Sequence, residues 1–137
     1  MHDRYEGGCL CGAIRYAIAG APLWVNLCYC TSCRKASGAP VMAFARIAAG
    51  DFSMHSGAPV RFASSPDVFR SFCGTCGTTL LVNGKHLADD TVIAVATLDR
   101  PEGLRPTTNV HTADRLDWMI PLPELQEWRG DDGRPKP

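Results

Sequence analysis

The sequence predicts one mostly β domain, on three observations. Its apolar runs have strand length, and they either alternate with polar residues or run continuously. Gly and Pro, 13 and 10 in number, break those runs at close intervals. Only residues 31–37 and 123–128 suggest a helix, and the second is under two turns long. The chain has 137 residues, one domain's worth. A domain of that size buries roughly two-thirds of its unfolded surface, enough for a real core.

Taken in order, residues 1–8 read as a short lead-in carrying His2. Residues 13–19 alternate, with Ile14, Tyr16 and Ile18 on one face, and predict a strand. Gly20-Ala21-Pro22 breaks it. Residues 23–29 predict a second strand that delivers Cys28. Residues 31–37 predict one helical segment, ended by Gly38-Ala39-Pro40. Residues 41–47 are apolar and predict a core strand. Residues 51–55 predict a short strand before a Gly57-Ala58-Pro59 turn. Residues 67–72 lead into Cys73 and residues 78–82 lead away from Cys76. Asn83-Gly84 is a hairpin-turn signal. Residues 92–98 are almost continuously apolar and predict a buried strand. Residues 130–137 are charged, contain two prolines and predict a frayed tail. No repeat or linker interrupts residues 1–137, and the ordered core is expected over about residues 5–129.

Lys and Arg total 14, and so do Asp and Glu. This balance removes the simplest case for nucleic-acid binding or a polybasic membrane anchor. No apolar run approaches the roughly 18 residues of a membrane span. The first residues include an acid and lack an apolar stretch, unlike a signal peptide. A cytoplasmic location is expected.

Cysteine is the outlier. All seven fall in tight groups: Cys9 and Cys11; Cys28, Cys30 and Cys33; Cys73 and Cys76. In a reducing compartment such clusters bind metal or do redox chemistry more often than they form disulfides. A C-x-C pair on an extended segment puts both sulfurs on one face. Cys73-Gly74-Thr75-Cys76-Gly77 is a turn that converges two thiolates, half of a four-thiolate zinc site. Four ligands plus three is the natural division. Cys9, Cys11, Cys73 and Cys76 would close one tetrahedral site. Cys28, Cys30 and Cys33 would leave a second with an open position. Pairing Cys28 and Cys30 with Cys73 and Cys76 is also compatible with the spacing.

Gly8-Cys9-Leu10-Cys11-Gly12, Cys28-Tyr29-Cys30-Thr31-Ser32-Cys33-Arg34-Lys35-Ala36-Ser37-Gly38-Ala39-Pro40 and Phe72-Cys73-Gly74-Thr75-Cys76-Gly77-Thr78 resemble the motifs of the glutathione-dependent formaldehyde-activating enzyme family. The resemblance spans roughly residues 5–129 and takes in every cysteine. It implies an Mss4-like β-tent, small antiparallel sheets folded over a structural zinc. It assigns Cys9, Cys11, Cys73 and Cys76 to that zinc and Cys28, Cys30 and Cys33 to a second, catalytic zinc. Tyr29 departs from the pattern, because many members carry histidine there.

The expected activity is that of a carbon–sulfur lyase on a thiol–aldehyde adduct such as S-hydroxymethylglutathione, with zinc delivering the thiolate. Glutathione and an aldehyde would be its small-molecule partners. Arg34 and Lys35, next to Cys33, could attract an anionic thiol, or be a solvated basic pair. His111 is a further pocket candidate, while His86 reads as loop and Trp24, Trp118 and Trp128 as core. A zinc-stabilised binding module and a thiol redox sensor are the alternatives.

Overall fold

The computed structural model describes residues 4–119 and 125–130. Among these residues lie eleven strands and one α-helix, in two sheets. The strands are β1 (Arg4–Gly8), β2 (Arg15–Ala19), β3 (Trp24–Cys28), β4 (Met42–Ile47), β5 (Phe52–Ser56), β6 (Val60–Ser65), β7 (Val68–Phe72), β8 (Thr79–Gly84), β9 (Thr91–Ala94), β10 (Thr108–Val110) and β11 (Gln126–Glu127). Helix α1 spans Thr31–Ser37. The smaller sheet runs β1-β2-β5 and the larger β11-β10-β3-β4-β9-β8-β7-β6. No helix among the described residues is long and apolar enough to cross a membrane.

Side-chain alternation gives the larger sheet two apolar faces. Ala45, Ile47 and Ile93 join Tyr16 and Ile18 of the smaller sheet, with Ile14 just before β2, in one core. Phe44, Val92 and Ala94 point the other way, into a second core with Val82, Leu87 and Val110. This double burial explains why β9 reads as a continuous apolar run. It also separates the cysteines. Cys9 and Cys73 belong to the first core, and Cys28 and Cys33 to the second.

Several expectations need correction. The lead-in is strand β1, paired with β2 along its whole length from Arg4↔Ala19 to Gly8↔Arg15. Its glycines hid it, but the packing requires one of them. A Cβ on Gly7 would lie 2.8 Å from the Tyr16 hydroxyl and 2.7 Å from the Thr97 carbonyl oxygen. Asn83-Gly84 is not a hairpin turn. Both residues pair with β7, and the chain turns only after Gly84. The Asn83 amide is used instead to donate to Thr91 Oγ1 at 3.1 Å. The strand expected over residues 92–98 ends at Ala94, where a 3₁₀ turn at Val95–Thr97 begins.

Strand β6 escaped the sequence reading because every residue in it is exposed, so no buried alternation marks it. The larger sheet is mixed, not purely antiparallel, because β10 runs parallel to both β3 and β11. Gln126–Glu127 is strand where a short helix was expected. It is held there by Trp128 N–H donating to the Asn109 carbonyl. Residues 123 and 124 of that expected helix, His2 and residues 131–137 of the expected tail lie outside the described residues.

Candidate metal centre and adjoining pocket

Two cysteine sets converge, divided four and three. The first comprises Cys9, Cys11, Cys73 and Cys76, with all four sulfurs within 4.8 Å of one another. Cys9 and Cys11 leave the end of β1, and the Cys73–Cys76 turn joins β7 to β8. The turn is locally determined. Gly77 takes φ 80°, and the Gly77 amide donates to the Cys73 carbonyl at 2.8 Å. The amides of Thr75 and Cys76 donate to Cys73 Sγ, and that of Ile14 to Cys9 Sγ. A hydrogen bond from the Thr78 hydroxyl leads the effects that pull the Cys76 thiol down to about 5.

This set fits a tetrahedral zinc. Bonds of 2.3 Å from a central ion place sulfurs about 3.8 Å apart. The Cys9–Cys11 and Cys11–Cys73 sulfur separations are 3.6 and 3.8 Å.

The second set is Cys28, Cys30 and Cys33, again within 4.8 Å, and no other cysteine, histidine or carboxylate among the described residues joins it. Cys28 ends β3, and Cys30 caps α1. The Cys30 sulfur accepts from the Cys33 amide at 3.2 Å, and Gly38 closes the helix in the left-handed conformation. Hydrogen bonding with Cys28, then with Cys33, holds Cys30 far below the usual thiol range. The hydrogen bond to Cys30 pushes Cys28 up. A bound cation would take the place of the protons these sulfurs share. Three sulfurs without a fourth ligand suit zinc with a free position.

The trio opens into a pocket of about 200 Å³. Its apolar walls are Phe44, Val68, Val82, Leu87, Val92 and Val110. Its polar lining, besides the cysteines, is Trp24, Asn26, Arg70, His86 and His111. Arg70 donates from its guanidinium to Cys33 Sγ at 3.6 Å and from Nε to Ser64 Oγ at 3.1 Å. His111 sits in the left-handed region at φ 55°, where β10 gives way to a 3₁₀ turn. Such a backbone is uncommon outside glycine, and histidine is among the residues that tolerate it best.

A second groove, about 590 Å³, lies across α1 and shares Arg70 as a wall. Thr31, Lys35, Phe62 and Thr79 also line it.

Of the substrate residues expected from sequence, His111 faces the trio's pocket and Lys35 the neighbouring groove. Arg34 lines neither, and one of its terminal nitrogens reaches Thr31 Oγ1 at 3.4 Å. Tyr29 is buried and donates to Asn109 Oδ1 at 3.1 Å. The sequence reading missed Arg70, Asn26, His86 and Trp24 as pocket residues. The signal for two of them was present: Trp24, Asn26 and Cys28 are spaced by two on one strand.

The fold and its cysteine sets define a small, mostly β protein with two places able to hold a metal ion. A family-level comparison matches residues 4–114 to the glutathione-dependent formaldehyde-activating enzymes. The chain belongs to that family. It is 40% identical over 86 residues to an uncharacterized lyase of Schizosaccharomyces pombe, spanning 60% of this chain and 61% of that protein. It shares its fold with a Rhodobacter sphaeroides protein of known crystal structure. Their TM-score is 0.55 at 23% identity, over 90% of this chain and 98% of the other.

Proposed function

We propose that the protein is a zinc-dependent carbon–sulfur lyase that cleaves a thiol–aldehyde adduct of the S-hydroxymethylglutathione type. The observation that carries this reading is the three-sulfur set with no fourth ligand among the described residues, opening directly into a pocket. Cys28, Cys30 and Cys33 would hold the metal. A zinc ion there supplies a positive charge that stabilises sulfur as an anion.

Cleavage breaks the carbon–sulfur bond, and its electron pair stays on the departing sulfur. The hydroxyl oxygen forms the carbonyl and gives up its proton. Neither oxidant nor reductant is needed. His86 and His111 are the imidazoles lining the pocket, and one of them takes that proton. Arg70, beside Cys33, offsets the negative charge that collects on the sulfurs. The groove across α1 receives the remainder of the thiol. Lys35 and Arg70 meet its carboxylates there, and Phe62 its apolar stem. Tyr29 takes no part, because its hydroxyl is committed to Asn109.

The test is twofold. Glutathione added to cobalt-substituted protein should change the metal's visible spectrum, and zinc-loaded protein should speed the decay of S-hydroxymethylglutathione. An unchanged spectrum with no rate enhancement refutes the lyase reading. Peroxide-driven loss of one zinc from a catalytically inert, folded protein would instead favour a redox sensor.

A further inference from the structure

The pocket beside the sulfur trio is larger than formaldehyde requires. An apolar cavity of about 150 Å³ accommodates benzene. This one measures about 200 Å³ and has six apolar side chains in its walls. Formaldehyde contributes one carbon and one oxygen to an adduct, and would leave most of that space unfilled.

Two residues of the lining carry buried polar atoms without partners, which makes the mismatch specific. Asn26 is only 2% exposed, and its Oδ1 has no hydrogen-bond partner among the described residues. The indole N–H of Trp24 is likewise buried without a partner. Leaving such groups buried and unpaired is destabilising. Both residues line the pocket, on the β3 face that also carries Cys28. Strand geometry spaces successive residues of that face by roughly 6.6 Å. The order outward from the sulfurs is therefore thiol, amide acceptor, indole donor.

The geometry points to an aldehyde with an apolar body of about benzene size and a hydrogen-bond acceptor at its far end. This inference rests on the lyase reading above and names the substrate class. The adduct's sulfur lies at the trio, and its hydroxyl donates to Asn26 Oδ1 until a pocket imidazole takes the proton. The apolar body packs on Phe44, Val82 and Val92. The distal acceptor takes the Trp24 N–H. Asn26 and Trp24 are thus the residues that set specificity, one reading the hydroxyl and the other the chain end.

The experiment compares glutathione adducts of formaldehyde, benzaldehyde and 4-methoxybenzaldehyde with the zinc-loaded protein. In parallel, the unreactive probe 4-methoxybenzyl alcohol is titrated while the Trp24 indole N–H is followed by NMR. The aromatic adducts should be cleaved at least tenfold more efficiently than the formaldehyde adduct. The methoxy compound should be the best substrate, and the alcohol should shift the Trp24 resonance. Trp24→Phe should erase the advantage of the methoxy compound over benzaldehyde. Val68→Phe, at the half-buried start of β7, should fill the pocket and reverse the preference toward formaldehyde. It provides a second variant should Trp24→Phe fold poorly.

Alcohol binding without turnover of any adduct would uphold the pocket and overturn the lyase reading. Efficient cleavage of the formaldehyde adduct, with no alcohol binding and no effect of Val68→Phe, would overturn the pocket assignment and leave the lyase intact.

Discussion

Cys30 accepts the backbone N–H of Cys33 at 3.2 Å, so one sulfur is both the cap of α1 and a candidate metal ligand. The seven-residue helix thereby fixes the spacing between the second and third members of the trio. Metal loss would unsettle the first turn of this helix, yet leave the sheets untouched.

The two cysteine sets should therefore respond differently to mutation. Cys33→Ala should stay folded and lose one zinc of two. Cys76→Ala should be insoluble. The four-sulfur set joins the end of β1 to the β7–β8 turn, and a structural zinc can contribute on the order of 10 kcal/mol, comparable to a whole domain's stability. Metal analysis and circular dichroism of the two variants decide the matter. Soluble, native-like Cys76→Ala protein would reverse the assignment.

Arg70 gives a charge prediction. Arg70→Gln keeps a donor near Cys33 but removes the cation. Zinc bound by the trio should then be lost to a mild chelator several-fold faster, with zinc at the four-sulfur set unaffected. Equal release from wild type and variant would show that the 3.6 Å contact is not felt by the metal.

Tyr16 sets an alkaline limit. Burial pushes its hydroxyl up to about 12 from 10.0, and the hydroxyl lies 2.7 Å from Thr97 Oγ1. The folded state holds this proton more tightly than the unfolded chain. The resulting stability is complete below pH 10 and is lost as pH rises through about 12. That difference is worth about 3 kcal/mol. Denaturant titrations from pH 9 to 12 should show the decline in wild type, and Tyr16→Phe should remove this component of it.

Loaded protein should also focus below its sequence value. Seven metal-bound thiolates and two zinc ions leave a net of about −3 relative to neutral thiols. Native isoelectric focusing should give a point below the 6.9 expected from sequence. A value at or above 6.9 is incompatible with two bound zincs.

What the sequence made legible follows from how local each feature is. The trio, its helix and the Cys73–Cys76 turn are each written in a few consecutive residues, and their positions could be read directly. The two-faced larger sheet was half legible. The run at Val92 announced burial on both sides, but nothing local says where the strand yields to a turn at Val95. Strand β6 has no buried side chain, and β10 buries Thr108 and Asn109 along with Val110, so neither carries the usual alternation. The pocket was least legible, because Asn26, Arg70 and His86 meet only through tertiary pairing across β3, β7 and the turn after β8.

The opposition of the two cores across one sheet also bears on how such a protein diversifies. The four-sulfur clamp and its apolar support sit behind the sheet, away from Trp24, Phe44 and Val82. Exchanges among these three residues would leave the first core and the four-sulfur set untouched. Side chains on one face of the sheet can therefore be exchanged while the sulfur set on the other keeps its surroundings.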